Sequence, residues 1–284
     1  MNNYKIVISS SGKVFEISPD SAAHLTEGGL GGFFSSGFDV ALSSYASGNG
    51  GYTTKRRFTE RELSLSFEIG KKLEDTLRHT LVSMLSPMRD CEIDVTLGQI
   101  HRKITAIPCD EPVFSRPTFS DITEVTLYFI APSVFFSDCD ENVARLRESA
   151  PLLTFPMNFT SDGGLTAGIY LSNGVRKIFN PGDVECGLVI NITAIGGDVV
   201  SPEISLGDDF IRCPLTLHDG DCLTVDTRER MKNIYYNGER CFTFDRRSTF
   251  FSLPVGESVV SIDADDGANY AEAVVSFTPL YCGV

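Results

Sequence analysis

Residues Arg61–Ile69 alternate without a break: Leu63, Leu65, Phe67 and Ile69 fall on one side, and Ser64, Ser66 and Glu68 on the other. Side chains of an extended chain point alternately to opposite faces, so this run reads as a strand with one buried and one wet face. The same period returns at Ile93, Val95 and Leu97, at Val125, Leu127 and Phe129, and at Leu188, Ile190 and Ile192. Only Lys71–Leu85 carries a helical period. It places Leu73, Leu77, Leu81, Met84 and Leu85 on one face before Pro87 stops it. Such a chain is expected to be mainly β, with a single helix, at about 71–86, packed on its strands.

Turn residues divide the strands. Tyr4–Ile8 and Lys13–Ile17 read as a pair turned at Ser11-Gly12, and Arg102–Ile107 pairs back on the Ile93 strand across Gly98. The Gly- and Ser-rich region Gly28–Gly51 reads as a loop, because it has neither the P-loop nor the dinucleotide-loop spacing. Phe33, Phe34, Phe38, Val40 and Leu42 make it too apolar for a free linker. Part of it is expected to form a strand or to order against a neighbouring chain, and the phenylalanines either cap their own core or dock on that neighbour. After a loop marked by Pro108, Pro112 and Pro117, the Glu124–Ile130 strand ends at Ala131-Pro132. The polar stretch that follows sets a boundary: domain 1–137, linker 138–150, and an all-β domain 151–284. The second domain opens with Leu152–Phe159 and turns at Ser172-Asn173-Gly174. It adds short strands at Glu203–Leu206, Phe210–Ile211, Leu215–Leu217 and Leu223–Val225. A hairpin over Asn233–Phe244 turns at Asn237-Gly238. The closing stretch Phe250–Ile262 then breaks at Pro254-Val255-Gly256 and leads to a last strand pair through Asp265-Asp266-Gly267 to Phe277.

Charge narrows the function. The 284 residues carry a formal net charge of −14, and an acidic chain repels phosphates. Specific nucleic-acid binding is therefore not expected. No apolar run approaches the length of a membrane-spanning helix, so no membrane insertion is expected. No signal peptide is read at Met1-Asn2-Asn3-Tyr4-Lys5. The eight cysteines include no C-x-x-C pair and read as mostly buried thiols made in a reducing cytoplasm.

Motifs for chemistry are missing. His24, His79, His101 and His218 are scattered, and neither H-E-x-x-H nor G-x-S-x-G occurs. Asp263-Ala264-Asp265-Asp266-Gly267 alternates carboxylates but lacks EF-hand spacing, and reads as an acidic hairpin tip rather than a calcium loop. No catalytic, cofactor-binding or metal-binding residue is assigned from the sequence, and no cofactor is expected. Tyr235, Tyr236, Phe242 and Phe244 are the aromatics available for a second reading, a carbohydrate-binding module that contacts the host cell surface.

The order of signals from Asn173 onward carries a resemblance. Gly174-x-x-x-x-Phe179-Asn180-Pro181-Gly182-Asp183 precedes a strand ending in Ala194-Ile195-Gly196-Gly197. Pro202-Glu203-Ile204 and Leu223-Thr224-Val225-Asp226-Thr227 follow, then Tyr236-Asn237-Gly238 and Phe251-Ser252-Leu253-Pro254-Val255-Gly256-Glu257-Ser258. This resembles the distal tail proteins of long-tailed, siphovirus-type bacteriophages. The strand opened by Arg61, the leucine-bearing helix and the later hairpin are similar to that family's ring-forming domain. The Gly28–Gly51 region departs from it. The resemblance implies a β-barrel-like N-terminal ring domain and a galectin-like C-terminal β-sandwich. It also implies a non-enzymatic structural hub: a homo-hexameric ring at the virion tail tip, assembled in the bacterial host cytoplasm. That ring joins the tail tube protein and tape-measure protein to a tail-tip or receptor-binding protein, and surrounds the channel that DNA crosses. Acidic residues are expected to line its inner rim.

Overall fold

The computed structural model describes residues 4–115, 121–147, 149–151, 168–170 and 174–284. It divides into two compact units, Met1–Cys139 with Leu280–Val284, and Asp140–Pro279.

The first unit contains β1 (Tyr4–Ser10), β2 (Lys13–Ile17), β3 (Ala23–Gly31), β4 (Phe38–Ser44), β5 (Gly51–Phe58) and β6 (Arg61–Gly70). After a short 3-10 turn come α1 (Glu74–Met84), β7 (Cys91–Leu97), β8 (Ile100–Pro108), β9 (Val113–Ser115), β10 (Ile122–Ala131) and β11 (Phe136–Asp138). Its main sheet runs β2-β1-β7-β8-β10-β6-β3. Laid flat, six strand spacings would separate β2 from β3 by about 29 Å. The chain from Ile17 to Ala23 can reach only about 21 Å. Instead the Ser18 N–H donates to the Ala23 carbonyl at 3.2 Å. The sheet must therefore roll, and the rolled interior is the core: Ile6, Ile8, Leu63, Leu65, Phe67, Ile93, Val95, Val125, Leu127 and Phe129. Leu81 and Met84 bring α1 onto it, while Leu73 stays outside on the 3-10 turn. Ser11 and Gly12, both at positive φ, make the β1–β2 turn.

The Gly-rich segment is mostly strand. β3 pairs with β6, but between Leu25 and Leu30 it spends five residues against two on β6. Gly28 at φ +73 makes this bulge, and Gly29 and Gly31 lie where a Cβ would meet Ser66 and Ser64 of β6. Close approach to β6, to the Ser66 backbone at Gly29 and the Ser64 side chain at Gly31, rather than flexibility, accounts for these two glycines.

The second unit adds β12 (Asn142–Arg147), β13 (Ser149–Pro151), β14 (Gly168–Tyr170), β15 (Val175–Asn180), β16 (Leu188–Ala194), β17 (Val199–Val200), β18 (Glu203–Leu206), β19 (Asp209–Arg212) and β20 (Thr216–Leu217). It continues with β21 (Cys222–Asp226), β22 (Asn233–Tyr236), β23 (Glu239–Cys241), β24 (Gly256–Asp263) and β25 (Ala271–Phe277). One sheet runs β12-β25-β16-β21-β22-β23 and another β15-β24-β18-β19. Each buries alternate residues: Leu188, Ile190 and Ile192 on the first, Ile204, Val260 and Ile262 on the second. Phe251 and Leu253 point inward, and Gly256 takes φ +90 at the break.

The sequence division and this partition differ twice. Residues read as linker form β12, which pairs with β25 and buries Leu146. And β26 (Leu280–Tyr281) leaves the second unit to pair with β11 of the first. The last strand pair also differs: β24 and β25 lie in different sheets. Asp266 bridges to Val200, and Gly267 turns at φ +70 into a 3-10 turn, which diverts the chain from one sheet to the other. The expected Leu152–Phe159 strand, Pro117, and the first two residues of the Ser172-Asn173-Gly174 turn lie outside the described residues.

Candidate functional site

The β4–β5 ribbon is a two-stranded sheet that pairs with no other strand among the described residues. Alternation puts Phe38, Val40 and Leu42 on one face, and these are 74%, 50% and 72% exposed. Phe58, cross-strand partner of Phe38, is exposed as well, and so are Tyr45 and Tyr52 near the tip. The other face carries Asp39, which accepts from Lys55 at 2.8 Å and Arg57 at 3.2 Å. These ion pairs hold the Asp39 carboxyl below its usual range, Lys55 most strongly. Exposed ion pairs add little stability, and an isolated hairpin is marginal in water. An apolar stripe on such a ribbon is a candidate contact surface.

Nearby, Phe33 and Phe34 part company. Phe33 is fully buried and packs against Phe136, with ring centroids 6.0 Å apart, while Phe34 is 58% exposed. Of the two outcomes the sequence left open, Phe33 takes the first and caps its own core; Phe34 does not.

Arg61 is the largest fully buried side chain of the described residues. Its Nε donates to the Val134 carbonyl at 2.7 Å and Nη1 to the Gly32 carbonyl at 2.6 Å; Nη2 donates to the Cys282 carbonyl. The guanidinium also lies over the Phe136 ring at 4.9 Å. Burial lowers its proton affinity, yet a guanidinium stays charged in proteins. Arg102 stacks on Tyr281 at 3.6 Å and donates to the Gly283 carbonyl. The Val284 N–H donates to Phe33 at 3.1 Å. Residues 280–284 are thus sewn into the first unit by two arginines.

Among the described residues, one cluster brings metal-ligating residue types together. Asp94 Oδ1 lies 2.7 Å from His101 Nε2 and accepts from Cys139 Sγ at 3.4 Å. Burial, then Asp94, pushes the Cys139 thiol up to about 12. The residues are far apart in sequence, and the signal that joins the first two is the Gly98 hairpin. The Asp263–Gly267 tip is engaged otherwise: Asp265 pairs with Arg212 at 2.5 Å, and Asp263 and Asp266 accept the next N–H of their own loop.

Three of the four aromatics proposed for sugar stacking have contacts of their own. Tyr236 gives its hydroxyl proton to Asp221 at 2.6 Å, Phe244 packs edge-on against Phe250 at 5.9 Å, and Phe242 stands exposed beside Arg240. A cleft of about 570 Å³ in the second unit is lined by Phe250, Phe251, Pro254, Glu185 and Asp209, and by none of the four. Of the eight cysteines, only Cys91, Cys186 and Cys213 are buried, fewer than expected.

Residues 181–281 match the family model for the siphovirus-type tail component, C-terminal domain. No curated protein matches the chain by sequence. Among solved structures the chain is similar to the Dit protein of phage SPP1, described as a paradigm of the hub adsorption apparatus in phages infecting Gram-positive bacteria. The identity is 13% and the TM-score 0.70, over 97% of this chain and 98% of that one. A chain of the phage P2 baseplate in its activated conformation with calcium aligns at 9% identity over 98% of both chains, with a TM-score of 0.45 that carries no argument. Residues 181–281 thus match the C-terminal domain of the siphovirus-type tail component family, and the chain as a whole shares the fold of the SPP1 Dit protein.

Proposed function

We propose that the protein is the structural hub of a phage tail tip, acting without catalysis. Copies of the first unit close into a hexameric ring, which joins the tail tube to the host-recognition apparatus around the DNA channel. The exposed Phe38, Val40 and Leu42 stripe carries this reading. A ribbon that cannot bury its own apolar face is stabilised when a neighbouring copy covers it. A ring needs such a heterologous contact, with one patch meeting a different patch on the next copy. The tube, tape-measure and tip proteins are the partners this role requires, and acidic residues on the inner rim would keep DNA from adhering.

The test is the assembly state of the full chain, by light scattering and negative-stain imaging, alone and co-expressed with the tube and tip proteins. Closed rings are expected. Leu42→Asp should leave folded monomers with an unchanged circular dichroism spectrum. A wild-type chain that stays monomeric at high concentration and with those partners overturns the hub reading. Rings that persist in Leu42→Asp overturn the role of the ribbon.

A further inference from the structure

Three adjacent strands of the first unit bring Asp94, His101 and Cys139 to one face. Asp94 on β7 pairs with Lys103 on β8, and Thr96 pairs with His101, so Asp94 and His101 are diagonal neighbours on the same side. Asp138 at the end of β11 pairs with Arg102, and continuing that register sets Cys139 opposite His101. Paired strands fix Asp94 and His101, and Cys139 directly follows Asp138, the last paired residue of β11.

We infer that Asp94, His101 and Cys139 form a binding site for a zinc-class divalent cation, with a fourth coordination position open to solvent. The donor set selects the ion. Thiolate and imidazole favour zinc over calcium and magnesium, which take mostly oxygen ligands in larger number. Zinc–ligand bonds of about 2.0–2.3 Å put tetrahedral neighbours about 3.3–3.7 Å apart. The Cys139 Sγ–Asp94 Oδ1 distance of 3.4 Å already fits. The 2.7 Å between His101 Nε2 and Asp94 Oδ1 must open by about half an ångström, and His101 is exposed enough to move. All three ligand atoms lie within 4.8 Å of one another. On binding, Cys139 releases its thiol proton to solvent and coordinates as thiolate, while His101 coordinates as neutral imidazole. Without a metal the same atoms form a hydrogen-bonded surface cluster, and that is the rival to be tested. The inference does not depend on the tail-hub reading.

The full chain, stripped with chelator and kept reduced with a phosphine, is titrated with cobalt(II) chloride alone. One equivalent should produce thiolate-to-cobalt charge-transfer absorption and the intense d–d bands of tetrahedral cobalt, both removed by zinc. Cys139→Ser should abolish the charge-transfer band. Losing even an outer-shell partner of a metal costs about 10–100-fold in affinity, so His101→Gln and Asp94→Asn should each weaken binding by more than 10-fold. Circular dichroism establishes that the variants fold, and His101→Gln, at an exposed position, decides the matter should Cys139→Ser misfold. The inference is overturned by a wild-type chain that gives no cobalt spectrum. It is equally overturned by a spectrum that survives Cys139→Ser, or by affinity unchanged in His101→Gln.

Discussion

Replacing Arg61 by alanine should unfold the first unit more readily than any single surface change, and the size of the effect follows from its three acceptors. The guanidinium donates to carbonyls from three segments: Gly32 after β3, Val134 before β11, and Cys282 after β26. Each carbonyl left buried without a donor costs about 1–3 kcal/mol, so three cost about 3–9 kcal/mol. Removing a buried cation returns several kcal/mol of desolvation. The vacated volume adds a cavity cost on the other side. The net expectation is about 3–5 kcal/mol, the range seen when a buried charge network is broken. For a domain of this size that corresponds to a fall in melting temperature of roughly 10–15 °C. The assay is thermal and urea unfolding, with hydrogen exchange separating the amides of β6 and β11 from those of the second unit. Arg61→Lys keeps the charge but not the planar fork, and should fall between wild type and alanine. Deleting residues 280–284 removes one of the three acceptors. Arg61→Ala in that background should therefore cost less than the sum of the two changes, by about 1.5–3 kcal/mol, the worth of one charge-assisted bond. A shift below about 3 °C for Arg61→Ala, or strict additivity with the deletion, would refute this account of the tail.

Leu253 is fully buried and its backbone pairs with Cys186, so Leu253→Asp should cost more than about 4 kcal/mol and unfold the second unit; amide exchange that stays native there contradicts its core position. Asp221 accepts from Tyr236, Asn237 and the His218 N–H, and these bonds, Tyr236 first, lower its pKa. A depressed carboxyl contributes stability above its unfolded value and loses it as pH falls through the lower folded value. Asp221→Asn should therefore flatten the melting profile below about pH 4, and an unchanged acid limb counts against the network. Gly267 holds φ +70 where a Cβ would meet the Asp198 backbone, so Gly267→Ala should destabilise the second unit by about 1–3 kcal/mol in urea unfolding; a neutral effect would mean the strand-to-strand crossing relaxes freely.

Strands with one wet face were legible because period two survives any tertiary context: Leu63 to Ile69 and Leu188 to Ile192 lie buried as the alternation requires. Turns were legible where backbone chirality demands it, at Gly12, Gly238 and Gly256. The Gly-rich region was legible only in part, as a stretch that would include a strand, because glycine has two uses. Composition cannot tell a loop from a strand that crosses another backbone closely, as Gly29 does at β6. The linker misled because charge along Asn142–Arg147 hid Leu146, a residue the second core needs. The Asp94, His101 and Cys139 group was illegible because Cys139 reaches the other two only through β11–β8 pairing, which no local spacing encodes.

The chain leaves the first unit at Cys139 and returns to it at Leu280, so the second unit is an insertion in the first. That topology orders events during synthesis. Strands β1–β10 can pair as soon as they emerge, but Arg61 lacks one of its three acceptors until Cys282 is made. A buried guanidinium short of a partner is costly, so the first unit should stay weakly closed while the whole second unit is synthesised. If the exposed Phe38, Val40 and Leu42 ribbon is a ring contact, this delay has a use. The surface that recruits neighbours is displayed on a unit that reaches full stability only after the inserted domain is complete. Premature rings, carrying unfinished second units, are then disfavoured by the connectivity of the fold itself, without a chaperone to enforce the order.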